Sequence, residues 1–147
     1  MSETRPPPAM RGDFRFTVAI QIRWSDNDMF GHVNNVEFYR FFEMAVVEFL
    51  IGPCAMDALA SPVIPFAAES QCRFRRPLSW PGRVTAGLKI ESVGTTSVRY
   101  AIALFGEDED EAAGDGHLVH VFVDRLTQEP TPIPPSVRKV FEAYRVS

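Results

Sequence analysis

Between Arg15 and Trp24 apolar and polar residues alternate, with Phe16, Val18, Ile20, Ile22 and Trp24 on one side and Arg15, Thr17, Ala19, Gln21 and Arg23 on the other. That period predicts a half-buried strand. The pattern then breaks over Ser25–His32, a turn-like run with two aspartates, an asparagine and a glycine. From Asn34 onward the period is helical. Asn34 is a natural N-cap, Glu37 completes an asparagine variant of the capping box, and Gly52-Pro53 stop the helix after Ile51. Its charged residues Glu37, Arg40, Glu43 and Glu48 share an arc with Met44, Val47 and Ile51, which leaves a thin polar stripe. Such a helix is expected to be largely wrapped by protein.

Four further strands are predicted by alternation, at Ile64–Arg75, Val84–Ser92, Ser97–Phe105 and His117–Asp124. The acidic connection Glu107–Asp115 reads as a solvated hairpin loop, and a short helix over Ser136–Tyr144 follows the prolines of 130–135. One strand, one long helix and a run of hairpin-connected strands imply an α+β domain, with a mostly antiparallel sheet curled around that helix. Apolar residues left over on the sheet suggest pairing with a second copy.

The chain has 147 residues, 46% apolar and 23% charged, which is the size and balance of one globular core. Residues 1–13 are polar and proline-rich and are expected to form a flexible tail, leaving 14–147 as a single domain. The net charge of −4 gives no general field for nucleic acid or an anionic membrane, so an anionic ligand needs a local arginine cluster. The first residues lack the apolar segment of a signal peptide, and no stretch approaches the ~18–20 apolar residues of a membrane span. A cytoplasmic protein is the expectation. Cys54 and Cys72 have no CxxC spacing and read as reduced, buried thiols. His117 and His120, three apart on a strand, point to opposite faces and form no metal pair.

Candidate chemistry concentrates in Asp26-Asn-Asp-Met-Phe-Gly-His-Val-Asn-Asn35, just ahead of the helix. First-turn backbone N–H groups lack intrahelical partners and carry partial positive charge, so an oxyanion or carbonyl oxygen is stabilised there. A nearby carboxylate can act as a base on water or attack an acyl carbon. The same residues also suit Asx-turns and helix capping, and composition does not separate the two.

Motif order adds information. This segment, with Phe38-Tyr39 after it, the Arg76-Pro77 strand end, Val121-Phe-Val-Asp124 and Pro132-Ile-Pro134, resembles the 4-hydroxybenzoyl-CoA thioesterase family over about Phe14–Tyr144. The resemblance implies a hotdog fold, in which an antiparallel sheet of five or six strands wraps one long central helix. It also implies a homodimer or homotetramer with sites at the subunit interface, and hydrolysis of an acyl-CoA thioester to acid and CoA. By position, Asp28 matches the catalytic carboxylate, as nucleophile or general base, and the backbone N–H of Asn35 matches the group that polarises the thioester oxygen. Asp26 matches the first aspartate of the pair, a turn-former. His32 and Asn34 match motif positions expected to orient the loop or a water beside Asp28.

A thioester is already electrophilic and thiolate leaves readily, so neither metal nor other cofactor is called for. For the phosphates of CoA the candidates are Arg75 and Arg76, with Arg73, Arg83 and Arg99 as possible neighbours, because guanidinium binds phosphate bidentately. Ser97, with Thr96, sits where the family often has a polar strand start. One departure stands out: many members of the family carry Glu-x-Ala-Arg in the helix, and this chain has Glu43-Met-Ala-Val46. The competing class is a hotdog protein that binds acyl thioesters without catalysis. A hotdog lyase or hydratase needs a differently placed Asp and His pair, which the compact Asp28–Asn35 motif disfavours.

Overall fold

The computed structural model describes residues 5–145. Strand β1 (Phe16–Gln21) leads through a 3-10 turn at Trp24–Asp26 into helix α1 (Asn35–Ile51). Strands β2 (Val63–Phe74), β3 (Arg83–Val93), β4 (Ser97–Gly106) and β5 (Gly114–Asp124) follow, and then helix α2 (Pro135–Ala143). The five strands form one antiparallel sheet in the order β1-β3-β4-β5-β2. Consecutive strands β1 and β2 therefore occupy opposite edges, and α1 crosses the sheet between them.

Alternation sets which residues meet the helix. Val84, Ala86, Leu88 and Ile90 of β3, Val98, Tyr100, Ile102 and Leu104 of β4, and Leu118 and Phe122 of β5 are buried in one core. Phe38, Phe41, Phe42, Ala45, Val46, Phe49 and Leu50 of α1 fill it from the other side. Each fully buried phenylalanine contributes about 1.5–3 kcal/mol by leaving water. Phe141 of α2 closes one end by stacking on Phe49, with ring centres 6.2 Å apart.

Several expectations change here. β1 ends at Gln21 and Trp24 turns outward, because the 3-10 turn breaks the alternation. Only one face of α1 is wrapped. A single sheet cannot reach the other face, which leaves Val36, Val47 and Ile51 exposed. The predicted alternation of β2 is interrupted at Ala68, an extra residue against β5, and residues 66–71 are exposed on both faces of this edge strand. β5 begins three residues early, so the acidic connection is shorter than expected and not simply solvated. Its Ala112 and Ala113 are buried, and Glu109 and Glu111 both pair with Arg76.

That connection also anchors the start of the chain. Within the stretch expected to be a flexible tail, residues 1–4 lie outside the described residues, but 9–13 are held. The Ala9 N–H donates to Asp115 Oδ2 at 2.9 Å, the Ala112 N–H to the Ala9 carbonyl at 2.9 Å, and the Arg11 N–H to the Asp110 carbonyl at 2.8 Å. Phe14 packs with Ala103, Phe105 and Ala112 on the sheet face away from α1. Among the described residues, no helix is long and apolar enough to cross a membrane.

Cys54 and Cys72 are buried, which pushes both thiols up to about 12 and keeps them protonated at neutral pH. The two histidines part as expected. His117 lies between Glu69 and Arg99 on the outer face, while His120 is buried beside Tyr100, its Nδ1 3.1 Å from the Tyr100 hydroxyl. Burial drives the His120 pKa from 6.5 down to about 4. Between those values the unfolded chain binds a proton that the folded chain refuses, so stability is full above pH 6.5 and falls as pH drops toward 4. The loss is about 3 kcal/mol for this group. Urea midpoints of wild type and His120→Gln across pH 4–7 should converge at low pH if the variant folds, the wild type falling more steeply.

Candidate active site

The loop between β1 and α1 is a closed hairpin of backbone bonds. The Asn34 N–H donates to the Asp26 carbonyl at 2.9 Å, Asn27 bridges Val33, and the Asp28 N–H donates to the His32 carbonyl at 2.8 Å. At the tip the Gly31 N–H donates to the Asp28 carbonyl, and Gly31 adopts φ +82°, where a side chain is strained. The loop is also tied to the β2–β3 connection. Val33 N–H donates to the Leu78 carbonyl, the Trp80 N–H to Asn27 Oδ1, and the Ser79 hydroxyl to the Gly31 carbonyl.

Asp28 Oδ1 accepts from the Phe30 N–H at 2.8 Å, so one carboxylate oxygen makes an Asx-turn. Oδ2 has no donor among the described residues. The structural and chemical readings of this aspartate are therefore compatible. Asp28, Phe30, His32, Val33, Asn35, Phe38, Phe74, Arg75, Arg76 and Pro77 surround a cleft of about 420 Å³. The Asn35 N–H opens the helix and meets no acceptor among the described residues. Asp28, the first residue of α1 and apolar side chains thus line one cavity.

Asn34 is not in the lining. Its Oδ1 accepts from the Val36 N–H at 3.0 Å, which makes it the helix cap. The capping box is not closed, because the Glu37 carboxylate turns to Arg40 and to Arg23 Nη2. Two arginines drew it away from the backbone.

Asp26 has a larger part than turn formation. It is fully buried and accepts from the Arg23 N–H at 2.7 Å, from Arg23 Nε and Nη2, and from Arg40 Nη2 at 3.0 Å on both oxygens. Burial alone would raise its carboxyl; the bonds from Arg23 and the charge of Arg40 outweigh that and hold it below the ordinary carboxylate range. Arg40, missed in the sequence, is fourteen residues from its partner, a distance no local pattern reveals.

The proposed phosphate ligands divide. Arg75 lies in the cleft wall, but its Nε and Nη2 both bond Asp115 at 3.0 Å, which leaves little of the guanidinium for a ligand. Arg76 is exposed, with surface partners Glu109 and Glu111 that water can replace. Arg83 shares a second cleft with Arg76, whereas Arg99 pairs with Glu91 and His117 on the outer face. Ser97 lies opposite Val121, while Phe74 at the cleft lies opposite Gly114. Seven residues of β5 separate these points, about 23 Å along a strand, so Ser97 cannot serve the cleft of its own chain.

This arrangement, an antiparallel sheet around one long helix with an acidic loop at the helix start, is the hotdog fold. The chain belongs to the Thioesterase-like superfamily, which residues 22–141 match. Among solved structures it is similar to the PA5185 protein of Pseudomonas aeruginosa, at 38% identity over 96% of this chain and 99% of that one, with a TM-score of 0.93. It is also similar to a thioesterase complexed with coenzyme A and Zn from Thermus thermophilus, at 23% identity over 87% and 98% of the two chains, with a TM-score of 0.75. A 1,4-dihydroxy-2-naphthoyl-CoA thioesterase from Synechocystis shares 15% identity over 86% and 94%, with a TM-score of 0.78. At these identities the last two show the shared fold.

Removing the cap in Asn34→Ala should cost about 1 kcal/mol of stability, and Asn34→Ser should recover most of it. Denaturant midpoints of the three proteins measure this. Equal midpoints would remove Asn34 from its capping role.

Proposed function

We propose that the protein hydrolyses an acyl-CoA thioester to free acid and CoA, with Asp28 as the reacting carboxylate and the Asn35 N–H as the oxyanion donor. The observation that carries this reading is the shared cleft, where Asp28 keeps one free oxygen beside the unsatisfied helix start. Membership of the thioesterase-like family supports it. So do the names of two fold neighbours, a 1,4-dihydroxy-2-naphthoyl-CoA thioesterase and a thioesterase complexed with coenzyme A.

As a base, Asp28 takes a proton from water while the water oxygen bonds to the acyl carbon. The C–S bond then breaks and the proton passes to the departing thiolate. As a nucleophile, Asp28 displaces the thiolate to form an acyl anhydride, and water cleaves that intermediate to the acid. In both routes negative charge develops on the carbonyl oxygen, where the Asn35 N–H and the α1 dipole stabilise it by several kcal/mol. Phe30, Val33, Phe38 and Phe74 supply apolar walls for an acyl group. Arg76 is the better-placed residue for CoA phosphate, and His32 lines the cleft where it can orient water.

A homodimer or homotetramer is part of the proposal. Val36, Val47, Ile51 and Phe66, together with Met29 and Phe30 at the loop tip, leave apolar surface uncovered around α1 and β2. A second chain is also the route by which a Ser97 could approach a cleft.

Thiol release from a panel of acyl-CoAs tests the reaction. Wild type should turn over at least one member, and Asp28→Asn should lower kcat on the order of 10²- to 10⁴-fold. Wild-type rates in Asp28→Asn would overturn the role of Asp28. Release from no member, with binding retained, would favour the non-catalytic thioester-binding reading.

A further inference from the structure

We infer that Arg40 is a positioning residue for this chemistry, acting through Asp26 to set the Asp28 loop against the first turn of α1. The inference rests on the proposed thioester hydrolysis and extends it to a residue outside the cleft. Arg40 is absent from the cleft lining, so it has no direct path to an acyl-CoA bound there.

The geometry centres on Asp26. Its carbonyl accepts the Asn34 N–H at 2.9 Å, and Asn34 is the cap one residue before the oxyanion N–H. Its carboxylate accepts Arg40 Nη2 on both oxygens at 3.0 Å, from the second turn of the same helix. Asp28 follows two residues later. Asp26 is thus the common reference for both reacting groups.

Arg23 also bonds the carboxylate, but it belongs to the same local turn, at i,i+3, and its side chain is 56% exposed. It closes the turn upon itself. Arg40 ties the Asp26 carboxylate to α1 directly, whereas Arg23 reaches the helix only through a longer contact with Glu37, at 3.5 Å. Glu37, one helical turn earlier, accepts from Arg40 Nε and holds the guanidinium in place. Without Arg40 the loop keeps its internal backbone bonds and the Asn34 cap, but the buried Asp26 carboxylate loses its direct bond to the helix.

The test compares Arg40→Gln, Arg40→Lys, Asp26→Asn and the double variant Asp26→Asn/Arg40→Gln with wild type and Asp28→Asn. The readouts are kcat and KM on a turned-over acyl-CoA and amide exchange at Asp28 and Asn34. Arg40→Gln should lose kcat on the order of 100-fold through misplacement, with KM within about threefold of wild type. Loop amides should exchange faster, and Arg40→Lys should restore part of kcat. Because Arg40 acts through Asp26, the double variant should be no slower than Asp26→Asn. It leaves no unmatched charge at that site, which guards against a folding failure in the single variant.

Wild-type kcat in folded Arg40→Gln, a loss confined to KM, or multiplying losses in the double variant would overturn the inference while Asp28→Asn still reports the reaction. Absence of thiol release by wild type would instead overturn the reaction, and the positioning role with it.

Discussion

The carboxylate of Asp26 is completely buried, and a buried charge persists only when its partners are close and well aligned. Meeting that condition organises the segment between β1 and α1. Arg23 folds the Trp24–Asp26 turn around the carboxylate, Arg40 reaches it from the helix, and Glu37 gives up a capping role to hold Arg40 and Arg23. The Asp26 carbonyl, fixed in the same place, then receives the Asn34 N–H and completes the loop. Removing one partner from such a cluster is more damaging than its contacts alone suggest, because the remaining charge stays buried.

The wider fold presents this loop to a cavity. Pairing β1 with β3 and β2 with β5 sends α1 across the sheet, so its wrapped face lies in the core and its first turn emerges beside the end of β2. There Phe74, the last residue of β2, and Arg75 just after it meet the loop. Asp115 holds Arg75 and also receives the Ala9 N–H, so the chain's early residues and the cleft wall share an anchor. The cleft is therefore lined by two segments far apart in sequence and braced by a third through Asp115.

Much of this was legible from periodicity. The β3 and β4 alternations match those strands to within one residue at each end, and the Asn34 cap and the stop at Gly52 set the helix bounds. What stayed hidden depended on partners distant in sequence. Glu37 looked like a capping residue because the arginines that claim it cannot be seen in the S/T/N-x-x-E pattern. Arg75 looked available because Asp115, forty residues away, reads as part of an acidic loop. The thin polar stripe of α1 implies a helix largely wrapped by protein, whereas one sheet covers one face and leaves Val36, Val47 and Ile51 exposed. For Asp28 the choice between turn and chemistry dissolved, since one oxygen serves the Asx-turn and the other remains free.

A helix start left unsatisfied beside that free oxygen is the physical basis for reading the cleft as a thioesterase site. On that reading the first-turn N–H of α1 polarises a bound thioester carbonyl before Asp28 or water attacks. Infrared difference spectra of a carbonyl-labelled acyl-CoA bound to Asp28→Asn measure that polarisation without turnover. Polarisation by that N–H should bring the thioester carbonyl stretch to lower frequency than in free solution; bound substrate with an unshifted stretch would rule out the N–H as its partner.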